Sequence, residues 1–374
     1  MQKEDLYSYD DQFRDRVSTV DNAGKRLWVY PKKPSGRYHN ARVYVSILLV
    51  GLLFIGPFIK TDGHPFMLFD IINRRFVIFG TPFWPQDFHI FAIALITFVV
   101  FIVLFTVVYG RVWCGWACPQ TIFMEMIFRK IEYLIEGDSG KQRKLDQMPW
   151  NAGKTIKRAA KHFIFILISI LISHILMAYL VGIEKVKMLV SHSPMENLAG
   201  FAGIVFFTGF FYLVFAYFRE QVCTTICPYG RLQGVFVGKN TIAVMYDWLR
   251  GEPRGRLKKD QHEIPAGNGD CVDCKLCIHV CPTGIDIRNG IQLECVNCTA
   301  CMDACDEVMD KIRRKRGLIR FGSYNSISES KQNLFTPRVI GYSIVLFLLI
   351  SFLIYFIGDR PPVETTVLRV PGTL

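Results

Sequence analysis

The chain has 374 residues, 51% of them hydrophobic and 20% charged, with a formal net charge of +12. Its mean hydropathy of +0.25 excludes an ordinary soluble domain or a disordered chain. The positive excess is not gathered on one face, as a nucleic-acid footprint requires. It is spread over segments that flank apolar runs, which reads as membrane topology and contact with anionic lipid, with no nucleic-acid partner.

In chain order, residues 1–42 form a polar, basic segment that includes Arg14, Arg16, Lys25, Arg26, Lys32, Lys33 and Arg37. It has no apolar signal-peptide core, so no cleavable leader is expected. Five apolar stretches reach the length of a bilayer core, at about 43–59, 89–108, 163–181, 198–218 and 339–357. The first is the weakest, interrupted by Gly51, Gly56 and Pro57. Phe66 to Phe79 alternates on either side of Asn73-Arg74-Arg75 and predicts a hairpin at the outer surface. The loop 110–162 is rich in Lys and Arg, whereas 60–88 and 184–197 hold few. Positive-inside reasoning places the N-terminus, the 110–162 loop and the segment 241–338 in the cytoplasm.

Twelve cysteines carry the chemistry. Eight form two arrays, Cys271-x2-Cys274-x2-Cys277-x3-Cys281 and Cys295-x2-Cys298-x2-Cys301-x3-Cys305. This is the spacing by which bacterial ferredoxins hold two 4Fe-4S clusters: three thiolates on one loop cap three irons, and the fourth arrives from the other array. On that pattern Cys271, Cys274, Cys277 and Cys305 bind one cluster, and Cys295, Cys298, Cys301 and Cys281 the other. Zinc sites usually pair two C-x2-C knuckles instead, and a disulfide framework does not suit the cytoplasm. Pro282 follows the first array, but Asp306 stands at the matching place in the second, which should change the hydrogen bonding around Cys305. Between the arrays, Ile285, Ile287, Ile291 and Leu293 alternate about Asn289-Gly290 and predict a short hairpin over the clusters.

The other four cysteines lie in Cys114-Gly-Trp-Ala-Cys118-Pro119 and Cys223-Thr-Thr-Ile-Cys227-Pro228, after the second and fourth apolar stretches. Each C-x3-C-P sits a few residues past a Tyr-x-Arg (Tyr109 and Arg111; Tyr217 and Arg219), so a helix pair ending in this motif is used twice. The proline suits the first turn of a following helix, whose dipole would favour thiolates. Topology brings the four thiols to one membrane surface as a candidate redox site, occupied by copper or a further cluster. The bland reading is four buried cysteines packing as small hydrophobes. His174, within the third stretch, reads as a histidine bonded to a neighbouring helix rather than a haem ligand. His64, Met67, Met188, His192 and Met195 could offer soft copper ligands, but scattered loop residues are the better reading. No glycine-rich nucleotide loop follows a strand.

Together these readings give an α-helical polytopic membrane protein with about five transmembrane helices and an inserted cytoplasmic α+β two-cluster ferredoxin-like domain. The expected units are a cytoplasmic segment 1–42, a four-helix core 43–240, the ferredoxin-like domain 241–338, a last helix 339–357 and an outer tail 358–374. The chain resembles the FixG/RdxA/CcoG polyferredoxins over nearly its whole length. The marks of the resemblance are Arg74-Arg75-Phe76 through Phe83-Trp84-Pro85-Gln86-Asp87, Cys114-Gly-Trp-Ala-Cys118-Pro119-Gln120, Cys223 to Cys227-Pro228-Tyr229-Gly230-Arg231, and Cys281-Pro282-Thr283-Gly284-Ile285-Asp286-Ile287-Arg288. The resemblance implies a bacterial inner-membrane accessory protein for assembly of cbb3-type cytochrome c oxidase, reducing Cu(II) to Cu(I). Its implied partners are a cytoplasmic electron donor, copper-delivery or oxidase-assembly proteins, and the lipid bilayer. Members of that family usually continue past the last helix into an immunoglobulin-like domain, of which 358–374 would be the start. Two other functions fit the residues. One is a quinol-linked relay, similar to the membrane ferredoxins of nitrate respiration, and the other is a non-catalytic assembly scaffold.

Overall fold

The computed structural model describes residues 19–20, 25–61, 64–71, 75–83, 87–256, 267–331 and 333–359. Five helices in it are long and apolar enough to cross a membrane: Arg37–Phe58, Phe88–Tyr109, Ala152–Val181, Leu198–Phe218 and Pro337–Gly358. The last span packs along the second, and the third along the fourth. Exposed Phe, Ile and Leu side chains cover their outer faces, as lipid-facing surfaces require. Where spans one, three and four meet, Phe123, Phe128, Phe165, Ile172 and Phe215 form an aromatic core, with Phe128 and Phe215 stacked at 4.6 Å.

The third helix begins at Ala152, well before the apolar stretch expected from 163. Hydropathy registers only the lipid-facing part, whereas the helix continues through lysines that are buried in protein. Lys154 donates to the carbonyls of Asp146 and Met148, and Lys161 pairs with Glu136 at 2.9 Å. Lys161 belongs to a buried ionic cluster at the end of the bundle that carries the cysteines. There Arg219 pairs with Glu132 at 2.6 Å, Arg129 with Glu125 at 2.5 Å, and Arg26 with Glu220 at 3.1 Å.

At the opposite end of the bundle, Met67–Asp70 pairs antiparallel with Arg75–Ile78, as the alternating pattern predicts, and Thr81–Phe83 adds a third strand. Residues 72–74 and 84–86, which include both ends of the first family mark, lie outside the described residues, as do most of the N-terminal segment and the tail from 360. At the cysteine-bearing end, Ala243–Tyr246 pairs with Ile319–Gly322 and brackets the two arrays. This pairing joins segments on either side of the cysteines, so no local signal announces it. The hairpin expected between the arrays does not form. A single turn of 3-10 helix, Ile287–Asn289, takes its place, with Asp286 capping the Arg288 N–H. Ile285 and Ile287 are buried as the alternation implies, but Leu293 is exposed. The Asp cap and the tight turn outcompete strand pairing over so short a segment.

Burial alone would raise the Glu132 carboxyl, but Arg219, Lys161 and Arg129 outweigh it and hold the group below the ordinary carboxylate range. Its contribution to stability is fully present above the ordinary value and is lost as pH falls through the lowered one. Replacing Glu132 with Gln leaves Arg219 and Lys161 short of a buried partner. We expect a loss of about 3–5 kcal/mol, read as a melting temperature lowered by roughly 10 °C in detergent. A melting temperature unchanged at neutral pH would show that the cluster does not hold the bundle end together.

Candidate functional site

The two arrays build two adjacent apolar cavities. Cys271, Cys274, Cys277 and Cys305 line the first, walled by Tyr246, Val308, Met309, Leu318 and Ile319. Cys281, Cys295, Cys298 and Cys301 line the second, with Cys277 at the boundary. The fourth thiol of each array is thus carried to the other array's loop, and no carboxylate or imidazole lines either cavity. An all-sulfur set has the softness that iron–sulfur ligation uses, and Arg288 and Lys275 bring positive charge to the first cavity. Burial pushes the Cys277 and Cys295 thiols up to about 12 and Cys298 up to about 11. Binding metal here therefore requires displacement of a proton from each thiol.

The two loops repeat the same backbone device. Asp273 and Lys275 flank Cys274 with positive φ, and Asn297 and Thr299 flank Cys298 likewise. Such turns wrap the chain around the cavity at a cost of about 1–2 kcal/mol per non-glycine residue. Local bonds offset part of it: the Val244 N–H donates to Asn297 Oδ1 at 3.2 Å, and Thr299 Oγ1 donates to the Cys298 carbonyl at 2.6 Å. The Pro282 and Asp306 difference has a plain cause. Cys305 lies inside the helix Ala300–Lys311, where proline would break a backbone bond, whereas Pro282 follows the short helix Leu276–His279. Asp306 instead accepts from the Gly317 N–H at 2.8 Å.

In both C-x3-C-P motifs the second cysteine caps a helix whose first residue is the proline, at Pro119 and Pro228. The chain leaves the preceding span through a residue with positive φ, Gly110 (φ 55) in one case and Arg219 (φ 52) in the other. Each lies four residues before the first thiol, so the repeat aligns Tyr109 with Phe218, one residue off the register suggested by Tyr-x-Arg. π-Helical segments adjoin both motifs, at Phe123–Phe128 and Val214–Phe218, and a further one holds Cys223 (Val222–Ile226). Thr121 Oγ1 lies 4.0 Å from Cys223 Sγ, which ties the first motif's helix to the second motif. Burial raises Cys118, only partly countered by the Thr121 and Gln120 N–H groups, and burial pushes Cys223 up to about 12.

The first motif is seated directly on the second thiol cavity. Cys114 packs with Val280, Val296, Cys298 and Ala300. A Cβ on Gly115 would stand 2.4 Å from the Val296 carbonyl oxygen and 2.9 Å from that of Asn297, so only glycine admits this approach. Buried Arg42 donates from Nε to the Gly115 carbonyl at 2.6 Å, and Gln233 Nε2 donates to Cys114 Sγ at 3.4 Å. Arg111 donates to the carbonyls of Leu293 and Cys223, joining the cavity loop to the second motif. The Ile242 N–H donates to the Val108 carbonyl at 2.8 Å, which anchors the thiol unit on the second span.

Other candidates do not converge. His174 Nδ1 bonds the Ile170 carbonyl of its own helix at 2.8 Å, which corrects the expected bond to a neighbour. His192 pairs with Glu196 at 2.9 Å, Met188 and Met195 are exposed, Met67 lies in the outer sheet, and the His64 side chain is outside the description. Arg42, Gly115, Gln233 and Asn297 were not singled out from sequence. Gly115 alone carried a signal, a glycine between two candidate ligands.

Replacing Gly115 with Val should force the motif off the Val296–Asn297 loop at a cost of about 1–3 kcal/mol. We expect faster amide hydrogen exchange over residues 293–299 than in the parent. Equal protection in the two proteins would mean the contact is not tight.

A family model described as a 4Fe-4S dicluster domain matches residues 218–324, and one described as a 4Fe-4S binding domain matches residues 91–141. The first takes in both arrays and the second C-x3-C-P, and the second takes in Cys114 and Cys118. The chain is 37% identical over 315 residues to the nitrogen fixation protein FixG of Rhizobium meliloti (strain 1021), covering 83% of this chain and 59% of FixG. It is 37% identical to RdxA of Cereibacter sphaeroides over 79% of this chain and 62% of RdxA, and 37% identical to RdxB of the same organism over 79% and 63%. It therefore spans less than two thirds of the length of these relatives. No solved structure matches it. With five membrane-length helices, two thiol-lined cavities and these relatives, the chain belongs to the FixG/RdxA family of iron–sulfur membrane proteins.

Proposed function

We propose that this chain is an electron-transfer protein of the bacterial inner membrane that reduces Cu(II) to Cu(I) for assembly of a cbb3-type cytochrome c oxidase. One observation carries the reading: Cys114 and Gly115 of the first C-x3-C-P motif pack against the loop that lines the second thiol cavity. Cys271, Cys274, Cys277 and Cys305 would hold one 4Fe-4S cluster, and Cys281, Cys295, Cys298 and Cys301 the other. When bound, such clusters supply one-electron transfer, which matches the single electron that Cu(II) takes up. The chain's own contribution is to bury most of the thiols in apolar surroundings and to hold Cys114 against the second cavity. Cys114, Cys118, Cys223 and Cys227 are the proposed copper-handling thiols, because Cu(I) prefers soft sulfur ligands. Copper enters as substrate, and its delivery or oxidase-assembly proteins are the proposed partners. The basic 110–162 loop and N-terminal segment support a cytoplasmic location for the thiol unit, where an electron donor would reach it.

Changing Cys118 or Cys227 to Ser should abolish Cu(II) reduction while the anaerobically purified protein keeps about eight iron atoms. Iron well above eight in the parent, lost in these variants, would mean that the motifs hold a further cluster instead. Activity that survives in the double variant would make the motifs structural. Replacing Cys281 with Ser should disturb the cluster of the second array, its distant partner, more than that of the first. For topology, reporter fusions after Asp70 and Glu196 should read as external and those after Gly140 and Gly269 as cytoplasmic. A cytoplasmic signal after Glu196 would overturn the proposed orientation.

A further inference from the structure

The first C-x3-C-P motif and the two thiol cavities stand in a row. Cys114 packs with Cys298 of the second cavity, and Cys277 lines both cavities. The first cavity is therefore the end of the row remote from the motif, and there Cys274 is the one exposed thiol of the twelve. The helix Ala300–Lys311 gives the direction of this end. Ala300 lies beside Cys114, Asp303 accepts from the Tyr38 and His39 N–H groups, and Asp306 meets Arg37, the first residue of the first span. The helix thus runs outward along the start of that span. At roughly 1.5 Å per residue, Lys311 stands about 16 Å beyond Ala300, clear of the bundle.

The rim of the first cavity is basic. Lys275 is exposed beside Cys274. Residues 250–256 lie along Cys271, whose N–H donates to the Gly251 carbonyl and whose carbonyl accepts from the Gly255 N–H. They bring Arg256 to Asp273, next to Cys274. The exposed loop Arg313-Arg314-Lys315-Arg316, which follows Lys311, is tied to the same rim. Arg314 meets Asp270 at 3.7 Å, and Arg250 donates to the carbonyls of Lys315 and Arg316. The acids around it are already engaged. Asp270 is shared by Arg250 and Arg314, and Asp273 by Arg256 and Arg288. Glu252 pairs with Arg254, Glu307 with Lys311, and Asp310 with Arg316. Lys275, Arg313 and Lys315 have no carboxylate partner among the described residues, so the rim carries a surplus of positive charge.

We propose that this rim, with Lys275, Arg256, Arg313 and Lys315 around the exposed Cys274, docks a small acidic iron–sulfur protein that delivers single electrons. The assignment rests on the electron-transfer reading above and adds where the donor docks and what charge it carries. Standing clear of the bundle, the rim suits a soluble partner better than anionic lipid. One electron leaves the donor, an iron of its centre passing from ferrous to ferric, and is taken up by iron held at Cys271, Cys274, Cys277 and Cys305. No bond forms or breaks and no proton moves. Opposite charges speed the encounter more than they tighten the complex, which suits a partner that must leave after each transfer.

The test is the second-order rate at which a pre-reduced acidic 2Fe-2S ferredoxin is oxidised by the iron-loaded protein in nanodiscs of zwitterionic lipid, followed anaerobically by stopped flow. The rate should fall about ten-fold or more from low to high salt. Arg313→Glu combined with Lys315→Glu should lower the low-salt rate about ten-fold or more, with iron content and reduction by dithionite unchanged. The bonds that hold this loop go to its backbone, so these exchanges keep its path. Lys141→Glu combined with Lys144→Glu makes the same change of net charge at exposed positions of the helix Ser139–Gln147 and should leave the rate unchanged. The assignment is overturned if the two double variants slow the reaction equally, or if the parent rate is indifferent to salt. It is equally overturned if the Arg313 and Lys315 exchanges matter only in nanodiscs of anionic lipid, which would make the rim a lipid contact. If dithionite itself leaves the visible absorbance unchanged, the electron-transfer reading falls and this assignment with it. Reduction by dithionite but not by ferredoxin overturns the docking assignment alone.

Discussion

The arrangement depends on one close approach, the seating of the Cys114–Gly115 backbone on the carbonyls of Val296 and Asn297. A side chain at position 115 would meet these carbonyls and force the two segments apart, weakening the packing of Cys114 against the Cys298 loop. Carbonyls turned toward each other at such a junction need donors, and two buried arginines provide them. Arg42 reaches the Gly115 carbonyl from the first span, and Arg111 bonds the Leu293 and Cys223 carbonyls from the end of the second. Guanidinium groups suit this task because one planar fork can serve several acceptors. The first span also presents its N-terminal amides, Tyr38 and His39, to the Asp303 carboxylate of the thiol unit. The membrane bundle and the thiol unit are therefore joined by backbone-level polar contacts, which fix position more tightly than apolar packing alone.

The duplicated motif is a duplication of backbone path more than of surroundings. Both spans end in a residue with positive φ, a conformation that Gly110 adopts freely and that is strained for Arg219. The Arg219 pairing with Glu132, on the helical run that follows the first motif, offsets part of this. Once the two halves differ in this way, their thiols face different neighbours. Cys114 and Gly115 meet the second cavity, and Cys223 lies beneath Arg111 and beside Thr121. The π-helical turns at both motifs let helices change register without ending, and irregular helices of this kind recur at functional sites.

Much of this was legible in the sequence, for reasons that are local. Bilayer-length apolar runs leave few alternatives to a helix, so the five spans were evident, though not the start of the third at Ala152, where buried lysines hide the helix from hydropathy. The spacing of the eight clustered cysteines is set by how a short loop closes on itself. The crossing of the fourth thiols is not set by that closure; it was expected from the two-cluster ferredoxin pattern, and Cys305 and Cys281 line the cavities of the opposite arrays. Alternation at Met67–Ile78 gave the hairpin at the end of the bundle opposite the cysteines. The same alternation misled between Ile285 and Leu293, where a capping aspartate decided for a turn over strands whose pairing would have had no third partner.

What the sequence by itself determined is the set of elements whose stability is a property of neighbouring residues: membrane helices, thiol loops and proline-capped helix starts. Only the tertiary structure decided which of them touch. The strand pair Ala243–Tyr246 with Ile319–Gly322, the Gly115 contact, the buried Arg42 and Arg111 bonds and the Gln233 approach to Cys114 all join residues distant in the chain. Such contacts depend on the summed fit of two surfaces rather than on any spacing along one segment. A glycine or an arginine in the sequence cannot announce the carbonyl it will meet.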